Sequence, residues 1–217
     1  ENNIAEGHGG GIFISGNVYG TLDSLEVNNN LANWGGGMTC TDSSDPSILN
    51  STFALNETLN VGGGVYVRSS SSPTFIACSF ESNIQTSNPL GSGGGACVYG
   101  AGTGGGPCYP TFNDCLFENN SVNGDGGGLA AAYDAHPKVN DCYFIGNSSG
   151  RSGGGIACVA DEGYLYPSKA ELINVDVQSN HANEEGGGIH VRWSEPIMEH
   201  LTVQNNAAVN SGGGINF

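Results

Sequence analysis

The side chains best suited to bind or transform a ligand are concentrated in segments 99–109, 133–136 and 160–169. Tyrosine rings stack well on sugar rings, and carboxylates bond hydroxyl groups or hold calcium. These segments therefore predict a shallow glycan- or calcium-binding corner, unless the rings merely cover the base of an exposed loop. Its residues are Tyr109, Tyr133, Asp134, His136, Asp161, Glu162, Tyr164 and Tyr166.

Catalytic chemistry has weaker support in the sequence. Adjacent carboxylates occur at Asp161-Glu162 and Glu184-Glu185. A glycoside hydrolase needs two carboxylates at a set separation across the substrate, whereas neighbours on a strand point to opposite faces. A lyase that acts on acidic sugars needs a basic residue beside calcium ligands, and the whole chain has only 5 Lys and Arg. We predict no catalytic residue, and a polysaccharide lyase or glycoside hydrolase is the alternative.

The repeats that position these side chains are marked by eight Gly-Gly-Gly triplets. The starts of successive triplets lie 26 to 33 residues apart. A period of this size is typical of a solenoid, in which each repeat stacks on its neighbour and buries little alone. The triplets occupy 9–11, 35–37, 62–64, 93–95, 126–128, 153–155, 186–188 and 212–214.

An asparagine precedes every triplet, usually by six residues. Because its amide can bond the equivalent amides above and below and also the turn backbone, this Asn predicts a ladder along the stack. The triplet predicts a tight corner, since glycine tolerates positive φ and close backbone approach. The ladder residues are Asn3, Asn30, Asn56, Asn83, Asn120, Asn147, Asn180 and Asn206.

Apolar residues alternate in short runs on both sides of these markers, with no helical periodicity. The pattern predicts three short strands per repeat, wound into an all-β, single-domain parallel β-helix of about eight coils with 26–33 residues each. Segments 99–109 and 160–169 lengthen two coils at the same corner. Insertions in repeats project from one side and often bind ligands.

A large apolar residue, two spacers and Asn, followed by Gly-Gly-Gly-Ile, resembles a known repeat. It is similar to the Phe-x-x-Asn and Gly-Gly-Ala-Ile repeats of polymorphic outer-membrane proteins and related adhesins. More broadly, the chain resembles the right-handed, pectin-lyase-like β-helix superfamily over essentially its whole length. The resemblance implies a right-handed coil. It leaves activity open, because such folds include lyases, hydrolases, adhesins and structural proteins.

The chain has seven cysteines, an odd number, so they cannot all pair internally. Cys78, Cys115 and Cys142 occupy the same position in three successive repeats and predict an inward-pointing stack of thiols. Cys97 is one residue out of phase and should point outward, with Cys108 in the loop beyond it. We therefore expect a Cys97–Cys108 disulfide. The stacked thiols either fill the core as small apolar groups or form a bridge between coils.

Four Asn-x-Ser/Thr sequons begin at Asn50, Asn56, Asn119 and Asn147. Asn56 and Asn147 are ladder positions and should be too buried to carry a glycan. Asn50 and Asn119 fall in predicted turns and are the expected N-glycosylation sites.

The charge balance restricts the partners, because 21 acidic residues against 5 basic ones give a net charge of −16. Nucleic acid is excluded, since phosphate binding needs clustered Lys and Arg. No apolar run has transmembrane length. No cysteine pair has zinc-ligand spacing, so we expect no metal site and no cofactor, with calcium the one left open.

Both ends of the sequence fall inside a repeat, and an uncapped solenoid exposes unpaired strand groups. We therefore expect either a segment of a longer chain, flanked by further repeats, or a subunit that stacks on itself head to tail. The sequence predicts an extracellular or cell-surface structural or adhesive protein, such as the repeating subunit of a filament, with surface glycans as a further partner. A carbohydrate-binding or polysaccharide-degrading protein is the alternative.

Overall fold

The chain winds into eight coils of short β-strands that pair only in parallel. The computed structural model describes residues 1–100, 105–160 and 166–217, and within these ranges it contains thirty strands and no helix. The prediction of an all-β parallel solenoid with about eight coils is confirmed.

Four sheets run along the stack, and each complete coil contributes one strand to each of them, while the first coil contributes only to sheets I and II. Sheet I follows the Asn and comprises β1 Ile4–His8, β5 Leu31–Trp34, β9 Glu57–Val61, β13 Ile84–Gln85, β17 Ser121–Val122, β21 Ser148–Ser149, β25 His181–Ala182 and β29 Ala207–Ala208. Sheet II follows the triplet and comprises β2 Ile12–Ile14, β6 Met38–Cys40, β10 Val65–Arg68, β14 Ala96–Tyr99, β18 Leu129–Ala132, β22 Ile156–Val159, β26 Ile189–Arg192 and β30 Ile215–Asn216.

The remaining two sheets have seven strands each. Sheet III follows the proline position and comprises β3 Thr21–Asp23, β7 Ser47–Leu49, β11 Thr74–Ile76, β15 Thr111–Asn113, β19 Lys138–Asn140, β23 Glu171–Ile173 and β27 Ile197–Glu199. Sheet IV leads into the Asn and comprises β4 Glu26–Asn28, β8 Thr52–Ala54, β12 Ser79–Glu81, β16 Leu116–Glu118, β20 Tyr143–Ile145, β24 Asp176–Gln178 and β28 Thr202–Gln204.

The expectation of three strands per repeat is wrong, because sheet I is a separate fourth sheet. In five coils its strand is only two residues long, as in β17 Ser121–Val122 and β21 Ser148–Ser149. Such short polar pairs show no alternation of apolar residues, so the sequence pattern does not reveal them. The fourth sheet bends the coil between the Asn and the triplet.

Stacked phenylalanines fill the centre of the coil. Phe53, Phe80, Phe117 and Phe144 lie one above another with nearly parallel rings, and successive centroids are 4.5–5.4 Å apart. All four are completely buried. They come from sheet IV, where the predicted apolar position precedes the Asn by three residues. Burying side chains of this size is the main favourable term for the fold.

The triplets form the corner between sheets I and II, where adjacent backbones come closest. The first glycine of each triplet has φ between +60° and +77°, a left-handed conformation that favours glycine. In every triplet except the last, the second glycine has no room for a side chain. A Cβ on Gly127, for example, would collide with the carbonyl oxygen of Gly154 in the next coil. The triplet is therefore required by both conformation and space.

Two departures from the regular spacing are absorbed without breaking the stack. The register of sheet I shifts between Ala32 and Trp34, which accommodates the coil in which Asn30 lies one residue closer to its triplet. In the coil of Asn83, segment 86–92 takes up the extra residues as a loop, with the Gly91 N–H donating to the carbonyl of Asn88 at 2.9 Å. Both Asn keep their places in the stack.

Replacing Gly127 by alanine tests the space restriction. Because the new methyl group would meet the backbone of the next coil, Gly127→Ala should lower the free energy of unfolding by about 3 kcal/mol or more. The matched control is Gly20→Ala, where an added Cβ meets nothing within 4 Å, and the change should stay within about 0.5 kcal/mol. Urea unfolding followed by circular dichroism measures both, and equal stabilities would contradict the packing argument.

Candidate functional site

Three residues of the predicted ligand corner form one connected unit. The turns before β15 and β19 pair in parallel, and the His136 N–H donates to the Cys108 carbonyl at 2.8 Å. This pairing sets the rings of Tyr109 and His136 side by side, stacked with centroids 5.0 Å apart. The His136 Nε2 lies 2.7 Å from an oxygen of Asp134. The half-exposed ring of Tyr109 is thus supported by the imidazole of His136, which the carboxylate of Asp134 orients.

The other members of the predicted corner are placed differently. Tyr133 packs against Tyr99, with ring centroids 4.9 Å apart, beside a buried cluster on the outer face of sheet II. Tyr166 is 48% exposed, and its carbonyl accepts the N–H of Asp134 at 3.0 Å. Asp161, Glu162 and Tyr164 lie outside the described residues. The structure therefore brings together Tyr109, Asp134 and His136, with Tyr166 connected through its backbone, and separates Tyr133 from them.

A groove of about 570 Å³ opens beside Tyr109 and His136 over the outer face of sheet III. Two ion pairs line it. The Lys138 ammonium is 3.3 Å from Glu171, and the Lys169 ammonium is 3.6 Å from Glu195. This groove was not predicted from the sequence. Lys138 and Glu171 are direct partners in adjacent strands, so the strand register could have revealed their contact. An insertion between them along the chain obscures this register in the sequence.

The asparagines form one continuous chain of hydrogen bonds along the solenoid. Each Nδ2 donates to the Oδ1 of the Asn in the next coil, at 2.9–3.0 Å in all seven steps. The backbone N–H of each Asn donates to the same oxygen at 2.9–3.0 Å. The ladder residues from Asn30 to Asn180 are at most 1% exposed.

From Asn56 onward, each ladder residue also donates to a backbone carbonyl in sheet IV of the preceding coil. Asn120, for example, donates to the Phe80 carbonyl of the preceding coil at 2.8 Å and to Asn147 at 2.9 Å. It accepts from the N–H and Nδ2 of Asn83, each at 3.0 Å. All its side-chain hydrogen-bonding capacity is used, so the role of this row of residues is structural.

The three cysteines of the predicted stack lie in the core at successive levels. Cys78, Cys115 and Cys142 are 1–2% exposed, and the Cys115 N–H donates to the Cys142 sulfur at 3.4 Å. Each thiol donates to a backbone carbonyl, as Cys142 does to Asn140 at 3.1 Å. The hydrogen bond with Cys115, followed by burial, raises the pKa of Cys78 well above its ordinary value. These buried thiols are held as core groups.

The expected Cys97–Cys108 disulfide is absent, and both residues are free cysteines. Cys97 does point away from the core, as predicted, but it is fully buried between Tyr66 and Ala130. Cys108 belongs to the central core instead of an exposed loop, and its thiol donates to the Tyr99 carbonyl. The two thiols thus pack in different clusters. Burial raises the pKa to about 12 for Cys97 and to about 11 for Cys108.

The four sequons divide by exposure. Asn56 and Asn147 are completely buried in the ladder. Asn50 and Asn119 are exposed and lie in turns with left-handed φ of 47° and 54°. The amide of Asn50 donates to Asp23 at 3.0 Å. The geometry leaves Asn50 and Asn119 accessible, and their glycosylation remains a prediction.

A second polar cluster, which the sequence did not predict, lies beside the triplet corner. Asp125 is 5% exposed, and one of its oxygens lies 3.4 Å from Arg151 and 3.7 Å from Arg192. Its other oxygen accepts the Ser152 N–H at 3.1 Å. A buried carboxylate requires such compensation. Asp125 lies one residue before its triplet and Arg151 two residues before the next triplet. The recurrence of a charged residue just before the triplet was the signal that could have found them.

Within the described ranges, no group of three or more His, Cys, Asp or Glu side chains is arranged to hold a metal ion. The same ranges contain no helix of the length and hydrophobicity needed to cross a bilayer.

Comparison with known proteins gives one positive result. A family model described as "Right handed beta helix region" matches residues 1–170. No curated protein and no solved structure matches the chain significantly. The match agrees with the right-handed coil that the resemblance implied and with the fold inferred from the repeats, and it leaves the activity open.

Asparagine ladder residues should contribute strongly to stability. Asn120→Ala removes four hydrogen bonds from a buried site and leaves groups on Asn83 and Phe80 without partners, so the free energy of unfolding should fall by about 3 kcal/mol. The neighbour Asn119 is exposed with left-handed φ, so Asn119→Gly should change stability by less than about 1 kcal/mol. Similar losses in the two variants, measured by urea unfolding, would refute the ladder's contribution.

Thiol titration checks the free cysteines. Because all seven are buried and unpaired, the native protein should react negligibly with a thiol reagent such as Ellman's reagent. After unfolding in guanidinium without reductant, seven thiols per chain should react. A count of five would mean that one disulfide exists, and peptide mapping would then identify it.

Proposed function

Since the chain belongs to the right-handed β-helix family, we propose that its coils form the shaft of an extracellular or cell-surface structural or adhesive protein. In this proposal, the stack continues end to end, by a second copy of the chain or by further repeats of a longer one. The role is non-catalytic. The observation that carries it is the directional hydrogen bonding at the triplet corner.

At that corner, the N–H groups of every interior triplet point toward the following coil. The Gly63 N–H donates to the Gly93 carbonyl at 3.0 Å, and the Gly94 N–H donates to the Gly126 carbonyl at 3.1 Å. The Asn ladder runs in the same direction. Backbone N–H and C=O groups need partners once they leave water. Along this edge, all these hydrogen bonds run in one direction, so the two ends of the solenoid differ.

The two end surfaces are consequently complementary at this edge. In the first coil, the triplet carbonyls of 9–11 and the side-chain oxygen of Asn3 face away from the stack as acceptors. In the last coil, the N–H groups of 212–214 and of Asn206 face away as donors. Head-to-tail contact pairs donors with acceptors, whereas head-to-head contact would oppose carbonyl to carbonyl. The common direction of the hydrogen bonds therefore favours the head-to-tail arrangement.

Apolar side chains at both ends support the same contact. A cavity of about 160 Å³ at the first coil is lined by Ile12, Leu25 and Val27, among others. At the last coil, Val203 is only partly buried, whereas its partner Val177 in the preceding coil is fully buried. A further coil at either end would remove these core positions from water, which stabilises the contact through the hydrophobic effect.

The long sides of the solenoid suit exposure to solvent. The net charge of −16 favours solubility and opposes lateral clustering. Asn50 and Asn119, the accessible sequon residues, lie in turns on the side and away from the end surfaces. Stacking along the axis with repulsion between sides is the combination that gives a shaft.

A side chain at the last triplet separates folding from axial assembly. Interior middle glycines have no room for a Cβ, but at Gly213 an added Cβ meets only the Asn206 backbone carbonyl oxygen at 3.3 Å, a tight contact that a small shift relieves. Gly213→Leu should therefore fold normally and obstruct an incoming coil. The control is Gly20→Leu, which adds the same side chain on the side of the solenoid.

The expected result is that the wild-type protein and Gly20→Leu associate with rising concentration, while Gly213→Leu keeps the mass of a single chain. Sedimentation velocity measures the mass, and electron microscopy shows whether the particles lengthen along one axis. A wild-type protein that stays monomeric at all concentrations would contradict self-association. Lengthening that Gly213→Leu does not reduce would contradict the proposed contact surface.

A further inference from the structure

Asn123 directly follows β17 of sheet I and precedes Gly124 in the only Asn-Gly pair of the chain. We propose that Asn123 is a site of spontaneous deamidation and that the product releases segment 86–92 from the coil that follows it. The site lies on the side of the fifth coil, away from both end surfaces and from the groove over sheet III. It is therefore independent of the function proposed above.

Close packing between coils requires the glycine at position 124. A Cβ on Gly124 would collide with the carbonyl oxygen of Gly91 in the preceding coil. No residue with a side chain fits there, so the fold places a glycine directly after Asn123. Glycine has no Cβ to shield its backbone nitrogen, and its backbone is the least restricted of all residues. The packing thus leaves the Gly124 nitrogen open to reaction with the Asn123 side chain.

The backbone nitrogen of Gly124 is the nucleophile. In the part of the chain that the structure describes, its N–H donates no hydrogen bond to the protein, whereas its carbonyl accepts the Arg151 N–H at 3.1 Å. The proton on this nitrogen is therefore not held by a protein acceptor. The target is Cγ of Asn123, in the adjacent residue of the same chain. Holding nucleophile and target together in this way favours ring closure.

The reaction needs only water as a second reactant. The Gly124 nitrogen forms a bond to Cγ of Asn123, and the Cγ–Nδ2 bond breaks. The proton lost by the Gly124 nitrogen leaves with Nδ2, so the leaving group is ammonia and the product is a cyclic succinimide. Water then adds to either carbonyl carbon of the ring and opens it to aspartate or isoaspartate. The net change is the loss of ammonia and the gain of water.

Exposure separates Asn123 from the similar pair Asp125-Gly126. Asn123 is exposed, so water and hydroxide reach its amide. Asp125 could form the same ring, but it is 5% exposed, and its carboxylate accepts the Ser152 N–H at 3.1 Å and lies 3.4 Å from Arg151. A buried carboxylate compensated in this way is held as an anion, which resists nucleophilic attack. Of the two pairs, only the first is set to react.

The amide of Asn123 also holds the start of segment 86–92. Its backbone N–H donates to Oε1 of Gln85 at 3.0 Å, and its Nδ2 donates to the Thr86 carbonyl at 2.7 Å. Deamidation replaces Nδ2 by a carboxylate oxygen, which cannot donate and repels the carbonyl oxygen. Isoaspartate also lengthens the main chain beside Gly124, where the coils pack most closely. Both products therefore remove the contact that holds segment 86–92.

Peptide mapping by mass spectrometry tests the reaction in the native protein. During incubation in mildly alkaline buffer, Asn123 should convert at least about tenfold faster than Asn119 or Asn210, because these exposed asparagines are followed by residues with side chains. Asn123→Gln should remove the fast conversion, since its longer side chain would have to close a larger ring. Equal rates at the three asparagines, or conversion of Asn123 only after unfolding, would overturn the proposal.

Hydrogen exchange tests the release of the segment. In the fully converted protein and in Asn123→Asp, the amides of segment 86–92 should exchange at least about tenfold faster than in the fresh protein, because the segment opens more often. The matched control is Asn119→Asp, which makes the same charge change at another exposed position of the same coil, and exchange in the segment should stay unchanged. Unaltered exchange in Asn123→Asp, or an equal increase in the control, would contradict the proposed release.

Discussion

The close approach of backbones at the triplet corner is the constraint on which the rest of the structure depends. Each triplet donates its N–H groups to the next coil, and the middle glycine lies against the carbonyl of the coil above. Any side chain at that position would force the coils apart. The spacing set there is the spacing at which the phenylalanines stack and the Asn amides reach one another. Corner, core and ladder therefore share one repeat distance.

This constraint divides the molecule into an invariant interior and a variable exterior. Inside the coil, each level repeats the same interactions, so the levels differ little in chemistry. Outside, a residue is restricted only by its neighbours above and below, and coils can be lengthened at the corner between sheets II and III. The side chains best able to contact a ligand lie at or beside that corner. Tyr109, His136 and the lysine–glutamate pairs lie there because the interior excludes them.

The sequence was most informative where one residue type returns at one position. The Asn ladder includes Asn30 and Asn83 despite their irregular spacing, because a bulge and a surface loop absorb the difference. Prediction failed where position along the chain gave no information about side-chain direction. Cys97 and Cys108 are close in sequence, yet they pack in different clusters and form no disulfide. The short strands of sheet I were missed because two residues cannot show a period.

The sequence by itself determined the all-β solenoid, the number of coils and the identity of the ladder residues. It could do so because those features depend on contacts between equivalent positions of successive repeats. Such a period can be read directly from the order of the residues. Only the tertiary structure decided which exterior residues meet, such as Lys138 with Glu171 and Asp125 with Arg151 and Arg192. These contacts join residues 26 to 67 positions apart in the chain, and insertions change the offset from coil to coil. The stacking of the coils brings these residues together, so the contacts exist only in the folded protein.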